Sequence, residues 1–149
     1  MSEQLESLIS FRIGDEHFAF DTLKVRHILE MAAITKVPNA KSYILGIVNL
    51  HGNIIPVVDF RMMLGVKAIA DTSDTSIVVT SIDGNNDSYI GYVVDQVDEV
   101  FNCRGLEIKE NVAIDADNEL LSTFIGNVYI KERFVHIIDL SELSQLVEQ

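Results

Sequence analysis

Residues 45–60 lie without a gap over residues 125–140, so that Gly46, Val48 and Asp59 recur as Gly126, Val128 and Asp139. Upstream, at an offset of 72 rather than 80, Phe18-Ala19-Phe20 through Val25 and Ile28 lies over Ile90-Gly91-Tyr92 through Val97 and Val100. The matched blocks follow one another in the same order, and a repeat at this period restricts the chain to two similar units. Each matched block is a short run rich in Val, Ile, Phe and Tyr bounded by Gly, Asn or Asp, which is the punctuation of short strands. Units of about 70 residues are marginal by themselves, so two of them are expected to share one core.

The strands can be placed from these boundaries. Leu8 to Ile13 and Phe18 to Phe20 flank a turn at Gly14-Asp15-Glu16, after which Asp21 caps a short helical turn. A third strand runs from Val25 to about Met31, and Pro38 ends the extended stretch that follows. Tyr43 to Leu50 and Ile54 to Val58 form a hairpin across His51-Gly52-Asn53, with Gly52 supplying a positive φ. Pro56 must then occupy a position where no ladder hydrogen bond is missed. The small and polar residues from Gly65 to Ser76 have linker composition. Beyond them, Ile77 to Ile82 and Tyr89 to Val94 flank a loop at 83–87, Val97 to Phe101 is a strand, and Phe124 to Ile130 with Phe134 to Ile138 is a second hairpin. Asp139 with Glu142 reads as a capping box for a final helix whose Leu140, Leu143, Leu146 and Val147 share a face. The expected organisation is one domain over 1–149, with subdomains at about 8–64 and 77–139, a linker at about 65–76 and a helix at about 140–148.

Charge and chemistry narrow the function. Eleven Lys and Arg against 23 Asp and Glu give a net charge of −12, which disfavours nucleic acid and anionic lipid as partners. The acidic start of the sequence does not resemble a secretion signal, no apolar run approaches a bilayer span, and a single cysteine suits a reducing compartment, so a cytoplasmic location is expected. The sequence carries no phosphate loop, dinucleotide fingerprint or nucleophile elbow, so no catalytic residue is assigned. His17, His27, His51 and His136 lack metal-ligand spacing, and no metal or cofactor is expected. Asp115, Asp117 and Glu119 alternate as calcium ligands can, but without the glycine of an EF-hand loop they read as a solvated acidic loop. Cys103 beside Arg104 reads as an inert thiol, since neither a base nor a resolving cysteine accompanies it.

What remains is apolar. Val25, Ile28, Val97 and Val100 hold matching positions among charged neighbours, and pattern alone fits either inward-facing strand residues or a groove for a partner helix.

Three blocks, in order, carry a resemblance: Phe11-Arg12-Ile13-Gly14-Asp15-Glu16-His17-Phe18-Ala19-Phe20 with Leu23-Lys24-Val25; Gly46-Ile47-Val48-Asn49-Leu50-His51-Gly52-Asn53-Ile54-Ile55-Pro56-Val57-Val58-Asp59-Phe60-Arg61; and Gly91-Tyr92-Val93-Val94-Asp95-Gln96-Val97. Over nearly its whole length the sequence resembles the CheW family of bacterial chemotaxis coupling proteins. The resemblance implies a mainly β fold of two SH3-like five-stranded barrels sharing a hydrophobic core. It also implies a non-enzymatic adaptor that binds the cytoplasmic tip of methyl-accepting receptors and the regulatory domain of the chemotaxis histidine kinase, recruited to receptor arrays at the inner membrane. It places Val25, Val97 and Val100 at the receptor groove, to which Ile28, His27 and His51 are added here. Gly46, Asn49, Gly52, Pro56 and Asp59 fall in the structural signature, and no kinase-contact residue is assigned. Two positions depart from the family pattern: His51 stands where Arg is common and His27 where Glu is common, which fits either receptor contacts that differ from the usual ones and vary with pH or two solvated loop residues with no role in binding. Two other readings fit the same residues: a CheW-like scaffold of a pilus-motility or other kinase pathway, and a small-ligand-binding β-barrel protein, which would need a convergent polar pocket.

Overall fold

The structure is a computed structural model that describes residues 5–31, 34–37, 42–65, 70–83, 88–109, 120 and 122–148. In chain order the strands are β1 (Ser7–Ile13), β2 (Glu16–Asp21), β3 (Val25–Glu30), β4 (Ile44–Leu50), β5 (Asn53–Asp59), β6 (Ser76–Thr80), β7 (Ile90–Val94), β8 (Gln96–Asn102), β9 (Phe124–Ile130) and β10 (Arg133–Ile138). A 3-10 turn, Thr22–Lys24, precedes β3, and an α-helix follows the second strand of each later hairpin: α1 (Phe60–Met63) and α2 (Leu140–Glu148). Pro38, the 84–87 loop, and Asp115, Asp117 and Glu119 lie outside the described residues.

The strands form two five-stranded sheets with the orders β8-β1-β2-β10-β9 and β3-β6-β7-β5-β4. Replacing β8, β1, β2, β10 and β9 by β3, β6, β7, β5 and β4 turns one order into the other. The single parallel pairing of each sheet, β10 with β2 and β5 with β7, is conserved by that exchange. The sequence repeat is therefore a repeat of topology. Sheet membership, however, does not follow the expected spans 8–64 and 77–139: β1 and β2 complete the sheet of β8 to β10, and β6 and β7 complete the sheet of β3 to β5. Nor do the sheets close into the expected SH3-like barrels. Among the described residues, β8 is not paired with β9, nor β3 with β4.

The shared core lies between the sheets. Phe11, Phe18 and Phe20 from one sheet meet Tyr92 from the other and Phe60 of α1, all at most 1% exposed. Their rings make offset and edge contacts, with centroids 4.7 Å apart for Phe11 and Phe20 and 5.6 Å for Phe20 and Tyr92. Leu140, Leu143 and Val147 of α2 are buried in this core, with Leu146 half-buried against it, so the helix buries the face its spacing foretold. Each sheet also has a smaller cluster of its own, Ala19, Val128, Val135 and Ile137 in one and Ile55, Val57, Ile77 and Val93 in the other.

The recurring residues now have reasons. Asp59 and Asp139 cap α1 and α2 by accepting hydrogen bonds from Arg61 N (3.0 Å) and Ser141 N (2.9 Å). Only half of the expected capping box forms at α2, because the Asp139 N–H donates to Thr123 O at 2.7 Å instead of to Glu142. In both hairpins the turn contains two residues, not three: His51 and Gly52 (φ 52° and 87°), and Lys131 and Glu132 (φ 53° and 66°). Asn49 secures the first turn by accepting from Gly52 N at 2.9 Å. Pro56 sits opposite Ile47, whose N–H and C=O both go to Thr35 on the other side (2.8 and 3.0 Å), so the missing N–H leaves no β4 group unpaired.

That bridge also explains Gly46. A Cβ there would stand 2.0 Å from Thr35 O, and one on Gly126 would stand 2.3 Å from Lys109 O in the equivalent bridge. Because backbone would have to move, Gly46→Ala is expected to cost about 2 kcal/mol or more. Gly14→Ala, at φ 60° with open space around it, should cost about 1 kcal/mol. Urea unfolding midpoints test the contrast, and equal midpoints for the two variants would contradict it.

Candidate functional site: an apolar seam between two edge strands

Strand residues alternate between faces, so residues three apart, such as Val25 and Ile28, should point in opposite directions. A β-bulge changes that. On β3 the register slips between Val25, opposite Thr80, and His27, opposite Val79, so that Ile28 faces Val78. Thr80 and Val78 lie two apart on one face, and Val25 and Ile28 therefore share it. On β8 the same slip occurs around Asp98: Val97 faces Phe11 and Val100 faces Ile9. Val78, Phe11 and Ile9 all belong to the shared core. All four apolar residues thus border the junction of the two sheets.

They do so at two depths. Val25 and Val97 are half-buried and pack against the shared core, while Ile28 is 47% and Val100 60% exposed. Exposed apolar side chains continuous with a core are the arrangement expected of a surface that another chain covers. Val25 and Val97 are therefore largely core, and Ile28 and Val100 are surface.

The two histidines are placed differently. His27 is half-buried on β3, its ring edge-on to Tyr89 with centroids 6.3 Å apart. His51 is exposed at the β4–β5 turn, on strands that occupy the other end of the sheet order from β3. No hydrogen bond, ion pair or ring contact joins His27 to His51 among the described residues.

Sequence reasoning missed the charged centre of the fold. Arg61, whose side chain is 8% exposed, donates to Asp59 from Nε and Nη2 (both 2.9 Å), to Asp71 from Nη2 (3.0 Å) and to Asp95 from Nη1 (3.2 Å). Asp95 in turn accepts from Gly14 N at 2.7 Å. One guanidinium, whose planar fork suits several carboxylates at once, joins α1, the 70–75 segment, the β7–β8 junction and the β1–β2 turn. The hydrogen bonds that Arg61 donates, first to Asp59 and then to the other two carboxylates, hold it firmly in its charged form, above its already high ordinary pKa. The Asp59–Arg61 spacing was visible in the signature, but nothing local marks Asp71 or Asp95 as partners.

Other polar groups support structure. Cys103 is buried, and desolvation pushes its thiol above its ordinary pKa, which keeps it protonated and unreactive. His136 is 1% exposed between the rings of Phe18 and Phe124. Burial lowers its pKa against the opposing pull of Glu16, 3.5 Å away. A cavity of about 760 Å³ lies beside α2, lined by Leu106, Ile108, Ile125 and Leu140. Several of its polar groups are engaged in structural bonds: Lys24 Nζ donates to Ile82 O, while Asp21 and Asp139 cap their turns. Among the described residues there is no group of three His, Cys, Asp or Glu side chains that could hold a metal ion, and no helix is long and apolar enough to cross a membrane.

Two topologically matched sheets, an apolar seam flanked by edge strands and side chains committed to structural bonds define a protein-binding module. The chain belongs to the CheW-like domain family, whose model matches residues 7–148. It is 30% identical to the chemotaxis protein CheW of Helicobacter pylori over 142 residues, 95% of this chain and 83% of that one. To the chemotaxis protein CheW of Rhizobium meliloti it is 32% identical over 136 residues, 91% of this chain and 85% of that one. The crystal structure of the scaffolding protein TtCheW from Thermoanaerobacter tengcongensis superposes with a TM-score of 0.79 at 26% identity, covering 93% of this chain and 87% of that one.

Two outcomes are expected here. Arg61→Ala would leave three carboxylates without their cation and should cost about 3 kcal/mol in urea unfolding; an unchanged midpoint would show that the cluster is not a structural centre. For His136, a folded-state pKa below the unfolded value of about 6.5 means stability is fully present above that pH and declines as pH falls below it. Unfolding free energies at pH 7.5 and 5.5 should therefore differ more in the wild type than in His136→Leu, and equal differences would refute the assignment.

Proposed function

We propose that this chain is a non-enzymatic adaptor that couples methyl-accepting chemotaxis receptors to the chemotaxis histidine kinase. One observation carries the reading: equivalent bulges on β3 and β8 bring Ile28 and Val100 onto the face of the shared core and leave them exposed. A seam of that kind suits an amphipathic helix, whose apolar stripe would cover Ile28 and Val100 over the floor made by Val25 and Val97. The occupant proposed is the helical cytoplasmic tip of a receptor. The names of the relatives, chemotaxis proteins and a scaffolding protein, support that choice.

An adaptor of this kind works without forming or breaking bonds. Its contacts must favour one conformation of the kinase over another, and receptor signals change that preference. The kinase regulatory domain is proposed as the second partner, at a surface other than the seam, since both must be held at once. Action within the cytoplasm, at receptor arrays, follows from those partners.

Substitutions at the rim test the groove without emptying the core. Val100→Asp and Ile28→Asp each place a carboxylate where the helix would desolvate it, and each should weaken binding of a soluble receptor-tip fragment about tenfold or more. Melting temperatures should stay near that of the wild type. Kinase co-sedimentation with receptor fragments should fall in parallel. Retained tip binding in both folded variants would discard the groove.

A further inference from the structure

β8 carries one wall of the seam, yet it is an edge strand, hydrogen-bonded to β1 on one side only. Its opposite side is held by charged side chains. Glu99 accepts from Lys131 Nζ at 2.6 Å and from Arg133 Nη2 at 3.5 Å, while Arg133 Nη2 lies 4.0 Å from Asp98 Oδ2 and His17 Nδ1 lies 3.5 Å from the same oxygen. Lys131 lies in the β9–β10 turn and Arg133 is the first residue of β10, so both belong to the hairpin at the other end of the sheet order from β8. The sheet is thus curled until its two ends meet through ion pairs, where a closed barrel would have backbone ladder bonds. Asp98 is the bulge residue and Glu99 directly precedes Val100, so the network grips β8 where the bulge turns Val97 and Val100 onto one face.

Among the described residues the other sheet shows no such device. At the same offsets of 72 and 80, Glu99 corresponds to His27 and Lys131 to His51, and no ion pair joins those two among the described residues. Of the two walls, the described residues clasp that of β8 by charge.

We infer that the Glu99–Lys131–Arg133 clasp sets the position of the β8 wall and so acts as a positioning element for the helix that enters the seam, without touching that helix. This inference rests on the groove reading above. Glu99 and Val100 point to opposite faces of β8 by strand alternation, which is why the clasp can act on Val100 through the backbone and not by contact. Losing it would leave β8 free to swing about its ladder with β1, and an apolar wall that is not held in place binds more weakly because its ordering must then accompany binding.

Charge reversal tests it. Glu99→Lys places a third cation beside Lys131 and Arg133, and Lys131→Glu places two carboxylates together. Each alone should weaken binding of a soluble receptor-tip fragment about fivefold, and the double swap should restore most of the loss. Amide exchange at Val97 to Phe101 should quicken in each single variant and slow again in the double variant, a local signature that a general loss of stability would not reproduce. Val100→Asp, measured alongside, separates the two ideas. If Val100→Asp abolishes binding while Glu99→Lys leaves both affinity and exchange unchanged, the clasp is overturned and the groove stands. If Val100→Asp itself has no effect, the groove fails and the clasp with it.

Discussion

The rest of the molecule depends on the aromatic contact between its two sheets. The largest fully buried side chains, Phe11, Phe18, Phe20, Phe60 and Tyr92, gather in the one core that the two sheets share. Burying a ring of this size contributes roughly 1.5–3 kcal/mol each. The junction is consequently the most strongly determined part of the fold and also the place where its edge is left uncovered. Core and binding surface are continuous: Val97 touches the shared core, and Val100, one step outward on the same face, is exposed.

Exchange of strands strengthens that junction. Because β1 and β2 complete the sheet of β8 to β10, and β6 and β7 complete that of β3 to β5, the chain passes between the sheets repeatedly. The units cannot separate without breaking ladders. Arg61 ties the crossing points together, linking Asp59 at the end of β5, Asp71 before β6 and Asp95 between β7 and β8, and through Asp95 the β1–β2 turn. A permanent cation there answers three carboxylates in a chain whose formal charge is −12.

Much of this was legible in the sequence, and what was not has a common cause. Hairpins, caps and the face of α2 are local: Asp21 and Asp139 precede turns of helix, Gly52 sits in a tight turn, and Leu140, Leu143 and Val147 recur at helical spacing. The resemblance also placed Gly46 in the structural signature, and the close approach of the Thr35 backbone supplies the constraint, repeated at Gly126 by Lys109. Sheet membership was not legible, because the pairing of β1 with β8 spans about ninety residues and leaves no trace in either strand alone. The short helix α1 was overlooked for want of length. The bulges at Arg26 and Asp98 were hidden for a different reason: a spacing of three apolar residues reads as noise in a strand unless the slip in register is known. For the proposed site, position in the repeat singled out Val25, Ile28, Val97 and Val100, whereas the separation of half-buried from exposed members needed the fold.

The central claim is that a helix is received at the junction of the sheets, over the face shared by the two bulged strands. Methyl chemical-shift mapping tests it most directly, with Ile and Val methyls labelled and a soluble receptor-tip fragment titrated in. The account predicts the largest shifts at Ile28, Val100, Val25 and Val97, decreasing toward the two outer clusters. Shifts confined to the outer faces, such as Ile54 and Ile125, with the junction methyls unmoved, would contradict it.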